Sequence, residues 1–163
     1  MQRMKRTCSF STKDITISAM VAGLYVVLSF AFAPISYGPM QFRVSEALTL
    51  LPFCLPQTVP GLFVGCLISN MIGGFGIIDI VFGSAATLAA AVLTSKMPNV
   101  WLAAIPPIVV NAVVVGFYVA ILSATPIIPC MLYIGAGQAG VCFLLGVPMV
   151  MALKRSAFIQ KYL

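Results

Sequence analysis

Between Val44 and Leu153 the only charged residues are Glu46, Asp79 and Lys96. A soluble domain carries roughly one charged residue in four, and so sparse a stretch could not cover a water-facing surface. Composition agrees: 61% of the 163 residues are apolar and 7% are charged, with a mean hydropathy of +1.11. The chain is expected to be an all-α integral membrane protein. At roughly 20 residues per crossing, it has room for one domain of at most about seven helices.

The same inventory excludes most chemistry. The chain has no His, so it has no imidazole acid–base step, no His metal ligand and no Ser-His or Cys-His nucleophile. Three carboxylates leave little for a hydrolase. Cys8, Cys54, Cys66, Cys130 and Cys142 are widely spaced, and four lie in apolar runs. They read as core or lipid-facing thiols rather than disulfides or zinc ligands. No enzyme activity, cofactor or metal is expected.

Basic Met1–Lys13 followed by apolar Ile15–Ala33 could pass for a signal peptide, with Ala31-Phe32-Ala33 as its cleavage site. The apolar run exceeds the roughly 7–15 residues of such a core, and Pro34 would follow the scissile bond. The segment is read as a retained first span.

Gly and Pro divide the remainder. Six spans are expected, at Asp14–Ala33, Val44–Leu55, Val59–Ile72, Ile80–Ser95, Trp101–Ser123 and Cys130–Leu153. Thr12 or Asp14 would cap the first, Pro34 would stop it, and Pro126 and Pro129 would mark the last loop. Val44–Leu55 is short: as an α-helix it reaches only about 18 Å of a core of about 30 Å. Charge decides its status. Six crossings place Arg3, Lys5, Arg6, Lys13, Lys96, Lys154, Arg155 and Lys161 on one side, which the positive-inside rule makes cytoplasmic; five would split them evenly. The +6 net charge thus reads as orientation, not nucleic-acid affinity. Residues 1–13 and 154–163 become cytoplasmic tails around a transmembrane domain, 14–153.

This topology puts Arg43, Glu46 and Asp79 near the outer side, with Gln41, Asn70 and Gln138 at a similar level and Asn111 nearer mid-membrane. Ionisable groups inside a membrane are costly and point to function by default, so the cluster reads as a solute pocket. Structural readings stand beside that one. Arg43 and Glu46 are three apart and could pair; Asp79 could cap the following helix; Asn70, Asn111 and Gln138 could join helices by hydrogen bonds. Small residues recur four apart at Ser18/Ala22, Ala19/Gly23, Gly61/Gly65, Ser69/Gly73 and Ala136/Gly140, a pattern that lets helices approach closely. Most would serve internal packing. The Ala19/Gly23 face could instead meet a partner, because the chain has no Walker motif and no long cytoplasmic loop.

Several strings carry a family resemblance. They are Gln41-Phe42-Arg43-Val44-Ser45-Glu46-Ala47-Leu48-Thr49-Leu50-Leu51-Pro52, Val59-Pro60-Gly61-Leu62-Phe63-Val64-Gly65-Cys66 with Asn70, Asp79-Ile80-Val81-Phe82-Gly83-Ser84, Pro106-Pro107 with Asn111-Ala112, and Leu145-Gly146-Val147-Pro148. Over about residues 14–155 the chain resembles the QueT family of queuosine-precursor-binding S components of energy-coupling factor (ECF) transporters. The resemblance implies six helices, capture of a vitamin-like solute from outside, and assembly with a coupling membrane subunit and two cytoplasmic ATPases. It also implies that Ala19 and Gly23 meet the coupling subunit, and that the loaded subunit topples to carry its pocket inward.

A 7-deazaguanine base, or queuine, suits the polar cluster. The base presents a ring N–H and an amine side by side, and one carboxylate can accept both; Glu46 or Asp79 could do so. A carbonyl donor is available from Asn70, Asn111, Gln138 or Arg43. Phe42, Phe75, Tyr37 and Tyr133 could face the ring, and the loop Ser36–Gln41, with Gly38 and Pro39, could form a lid. The expected substrate residues are Gln41, Phe42, Arg43, Glu46, Asn70, Asp79, Asn111, Tyr133 and Gln138. An S component for another vitamin-like solute, or a scaffold subunit that carries none, are the competing readings.

Overall fold

The computed structural model describes residues 11–36, 42–73 and 76–156. The described residues contain helices and no strand. Six helical segments follow in order: α1 (Thr12–Ala31), α2 (Val44–Phe53), α3 (Val59–Gly73), α4 (Asp79–Thr94), α5 (Val100–Leu122) and α6 (Ile127–Arg155). By length and composition α1, α5 and α6 can each cross a membrane, with 20, 23 and 29 residues.

The expected segments are all present, with shifted ends. Ser11, not Thr12, stands at the N-cap of α1, and its N–H donates to the Asp14 carboxylate at 3.1 Å. That carboxylate also lies where a helix dipole favours an acid. α1 ends at Ala31, before Pro34, which falls inside a separate helical turn at Ala33–Ser36. α6 begins at Ile127, so Pro129 sits in its first turn and not in the loop. No intrahelical N–H is needed there, and proline costs nothing.

α2 is a ten-residue 3₁₀ helix, far longer than such runs usually are. At about 2.0 Å per residue it extends about 20 Å, further than α geometry would take it. Ser45 to Pro52 are all buried. The segment therefore lies inside the bundle, where its shortness exposes no backbone to lipid. Leu50 and Cys54 pack with Ala104, Cys142, Val147 and Val150 on one side, while Leu48 and Leu51 meet Val21, Tyr25, Leu62 and Cys66 on the other.

α1 and α3 approach closely through glycine. A Cβ on Gly61 would stand 2.0 Å from the Ser18 carbonyl oxygen, and one on Gly65 would stand 2.9 Å from that of Ala22. The Gly61/Gly65 pair is thus internal packing. Gly23 has nothing within 4 Å of such an atom. It lies with Ile15, Ala19, Met20 and Leu24 among the exposed residues of α1.

The distribution of polarity is inverted relative to a soluble protein. Glu46, Thr49, Thr58, Asn70, Asp79, Ser84, Thr87 and Thr94 are buried to within about 1% of full burial, while Ile77, Ile128 and Leu144 are more than 70% exposed. Apolar side chains facing outward around a polar interior suit a hydrocarbon surrounding.

Candidate functional site

The polar interior centres on two carboxylates with separate partners. Glu46 lies in the first turn of α2. Its Oε1 accepts from the Tyr25 hydroxyl of α1 and from Thr87 Oγ1 of α4 at 3.3 Å. Its Oε2 accepts from Asn111 Nδ2 of α5 at 3.3 Å and from Gln138 Nε2 of α6 at 3.4 Å. A carboxylate offers about four acceptor positions, and donors from four helices approach this one.

Asp79 is held differently. Arg43, just before α2, directs Nη2 at Oδ1 and Oδ2, 3.4 and 3.3 Å away, and the Tyr118 hydroxyl donates to Oδ1. Arg43 Nη1 donates to Asn70 Oδ1 at 2.9 Å, and Asn70 Nδ2 donates to the Asp79 carbonyl at 3.0 Å. The guanidinium fork is fixed on both arms. Arg43 thus pairs with Asp79 and not with Glu46, and Asp79 makes no helix cap.

Irregular turns aim these side chains. α4, α5 and α6 each contain one π turn, at Asp79–Gly83, Asn111–Val115 and Cys142–Gly146. Such insertions often occur at functional sites. Asp79 and Asn111 open two of them, and Gln138 lies one turn before the third, with Nε2 3.7 Å from Cys142 Sγ. Each π turn ends at or beside a glycine pressed by a neighbour. A Cβ on Gly83 would stand 2.8 Å from Asn70 Nδ2, one on Gly116 2.7 Å from Met131 Cα, and one on Gly146 3.2 Å from the Ala47 carbonyl oxygen.

Arg43, Glu46, Asn111 and Gln138 line one cavity with Gly83, Thr87, Val115 and Ile134. It is narrow, about 10 Å³, with room for about one water. Asn70 and Asp79 stand behind Arg43. Phe42 packs on α6, its ring 3.1 Å from where a Cβ of Gly140 would lie. Tyr133 is 57% exposed and is not in the cavity wall. Gln41, Tyr37, Phe75 and the centre of the Ser36–Gln41 loop lie outside the described residues. Tyr25, Thr87 and Tyr118 belong to the site although the sequence reading did not select them; the available signal was a hydroxyl in an apolar span, which needs a partner when buried.

No group of three or more potential metal-ligating side chains occurs among the described residues. A second, apolar groove runs between α1 and α3, lined by Ile15, Ser18, Ala19, Ala22, Pro60, Gly61 and Val64. Ala19 is therefore in its wall, and Gly23 lies one turn further along α1.

A polar interior, an apolar exterior and several long apolar helices define a multi-pass membrane protein. The family model described as QueT transporter matches residues 15–155, and the chain belongs to that family, whose members are transporters rather than enzymes. A 79-residue stretch, 47% of this chain, is 42% identical to the queuosine precursor transporter QueT of Lactococcus lactis subsp. cremoris (strain MG1363). The match spans 46% of that relative's length. No solved structure matches the chain.

Proposed function

We propose that this protein is the solute-binding membrane subunit of an ECF-type importer and captures a queuosine precursor base in the Glu46 cavity. The observation that carries the reading is the convergence of Tyr25, Thr87, Asn111 and Gln138 on one buried carboxylate beside a cavity. The relative's name supplies the solute class. The two amide contacts to Glu46 are long and come from side chains that can rotate. Adjacent N–H donors of a 7-deazaguanine edge can replace them on Oε2, and the displaced amides can then turn to other groups of the base. Asp79 is already committed to Arg43 and Tyr118, so Glu46 is the carboxylate assigned to the base edge. Because the cavity is narrow, its walls must move apart to admit a bicyclic ring.

In this reading the protein has six crossings, with both termini cytoplasmic. The α1/α3 groove around Ala19 receives the coupling subunit, which connects the protein to two ATPases. Purified protein in detergent should be stabilised against heat by 7-aminomethyl-7-deazaguanine or queuine and not by biotin or riboflavin. Glu46→Gln should weaken that binding by at least about tenfold, because a charge-assisted hydrogen bond contributes roughly 1.5–3 kcal/mol. No thermal shift with any deazaguanine would refute the assignment.

A further inference from the structure

The cavity is not balanced in charge. Arg43 and Asp79 form the only ion pair among the described residues, and together they are neutral. Glu46 has only uncharged donors: a phenol, an alcohol and two amides. These four groups converge on both carboxylate oxygens, and none of them carries a charge. Apart from Arg43, the basic residues of the chain are confined to positions 3–13, 96 and 154–161. Tyr25, Tyr118, Cys66 and Cys142, the other titratable side chains near the cavity, are neutral in their ordinary protonated forms near pH 7. Counted in formal charges, the site thus carries one negative charge without a countercharge, walled by Val115 and Ile134, in surroundings where unpaired charge is expensive.

We infer that the missing countercharge is supplied by the solute: the cavity selects a base bearing a cationic side arm over a neutral base of the same shape. This rests on the proposed binding role of the Glu46 cavity and adds a ranking within its solute class. A 7-aminomethyl-7-deazaguanine, or queuine with its protonated secondary amine, brings one positive charge. The 7-cyano and 7-hydroxymethyl deazaguanines bring none. The arm need not touch Glu46. A cation a few ångströms from an unpaired carboxylate is attracted through a medium far less screening than water, while the same base edge can still meet Oε2.

The test compares two ligands that differ in charge and hardly in size. Calorimetric binding of 7-aminomethyl- and 7-hydroxymethyl-7-deazaguanine to the wild-type protein at pH 7 should favour the amine by at least about tenfold. The variant Asp79→Asn tests the charge count away from Glu46. It leaves Arg43 to balance Glu46, so the preference should fall toward parity even though Glu46 is untouched. Its melting temperature without ligand reports whether it is folded, and the wild-type comparison stands if it is not. Equal wild-type affinities would overturn the inference and leave the proposed function intact, as would a folded Asp79→Asn variant that keeps the full preference. Binding of neither base would remove both.

Discussion

The hydroxyl of Tyr118 donates to Asp79, a fully buried carboxylate, from within an apolar helix. Tyr118→Phe keeps the ring and removes one charge-assisted donor from a buried carboxylate. The expected loss is about 1.5–3 kcal/mol of stability, read as a lower melting temperature in detergent. Tyr133→Phe is the matched control: that side chain is 57% exposed, and its variant should melt with the wild type. If the two variants melt alike, the Tyr118–Asp79 bond contributes nothing. The contrast also marks what was legible at this scale. Glu46, Asp79, Asn70, Asn111 and Gln138 stood out because carboxylates and amides are rare in apolar spans. Tyr25, Thr87 and Tyr118 did not, because phenols and alcohols scarcely disturb hydropathy. Tyr133 and Tyr118 are indistinguishable by type; only the rotation of their helices makes one a lipid-side ring and the other a site residue. Pairing was equally hidden. Arg43 lies three residues from Glu46 yet bonds Asp79, because α4 brings that carboxylate against the entry to α2.

At the scale of elements, Pro and Gly announced six segments in the right order, and the short second one is helical and buried in the bundle. What pattern could not supply was geometry. A ten-residue 3₁₀ helix and three π turns are consequences of packing, and their only trace in sequence is the glycine at or beside the end of each π turn. Three glycines, one of them at a π turn, make the packing testable. A Cβ at Gly61 would stand 2.0 Å from the Ser18 backbone oxygen, which cannot swing away as a flexible side chain would. Gly61→Ala should therefore force α1 and α3 apart and cost about 1–3 kcal/mol. Gly23→Ala meets open space, and its helix propensity favours alanine, so its melting temperature should equal or exceed that of the wild type. Gly83→Ala presses instead on Asn70 and Asp79 in the site. Its larger effect should appear in solute affinity, measured by calorimetry, with the helical circular dichroism signal retained. A Gly61→Ala protein as stable as the wild type would mean that the two helices do not meet at this glycine.

For the whole molecule, the proposed orientation rests on charge placement and the proposed coupling on which faces remain uncovered. The six proposed crossings would put the basic tails and Lys96 on one side, so reporters fused to either terminus should both read as cytoplasmic; an external C-terminal reporter would make the count odd. α1 then has two unlike faces. Tyr25 turns inward to Glu46, and Ser29 donates to Ser45 at 2.8 Å, while Ala19 turns outward into the apolar groove beside Pro60 and Val64. Nothing in the cavity touches that outer face. A bulky ring on the outer face should therefore separate the two proposed activities, solute capture and coupled uptake. Ala19→Trp fills the groove and should abolish uptake of a queuosine precursor by cells carrying the complete transporter. In detergent the same variant should bind the base within about twofold of the wild type, since no contact of Glu46 is altered. If binding is lost together with uptake, Ala19 is needed for packing within the subunit. If both survive, the groove is not where a partner seats. Only the split result, binding without uptake, fits a subunit that captures its solute on one side of α1 and receives its driving force on the other.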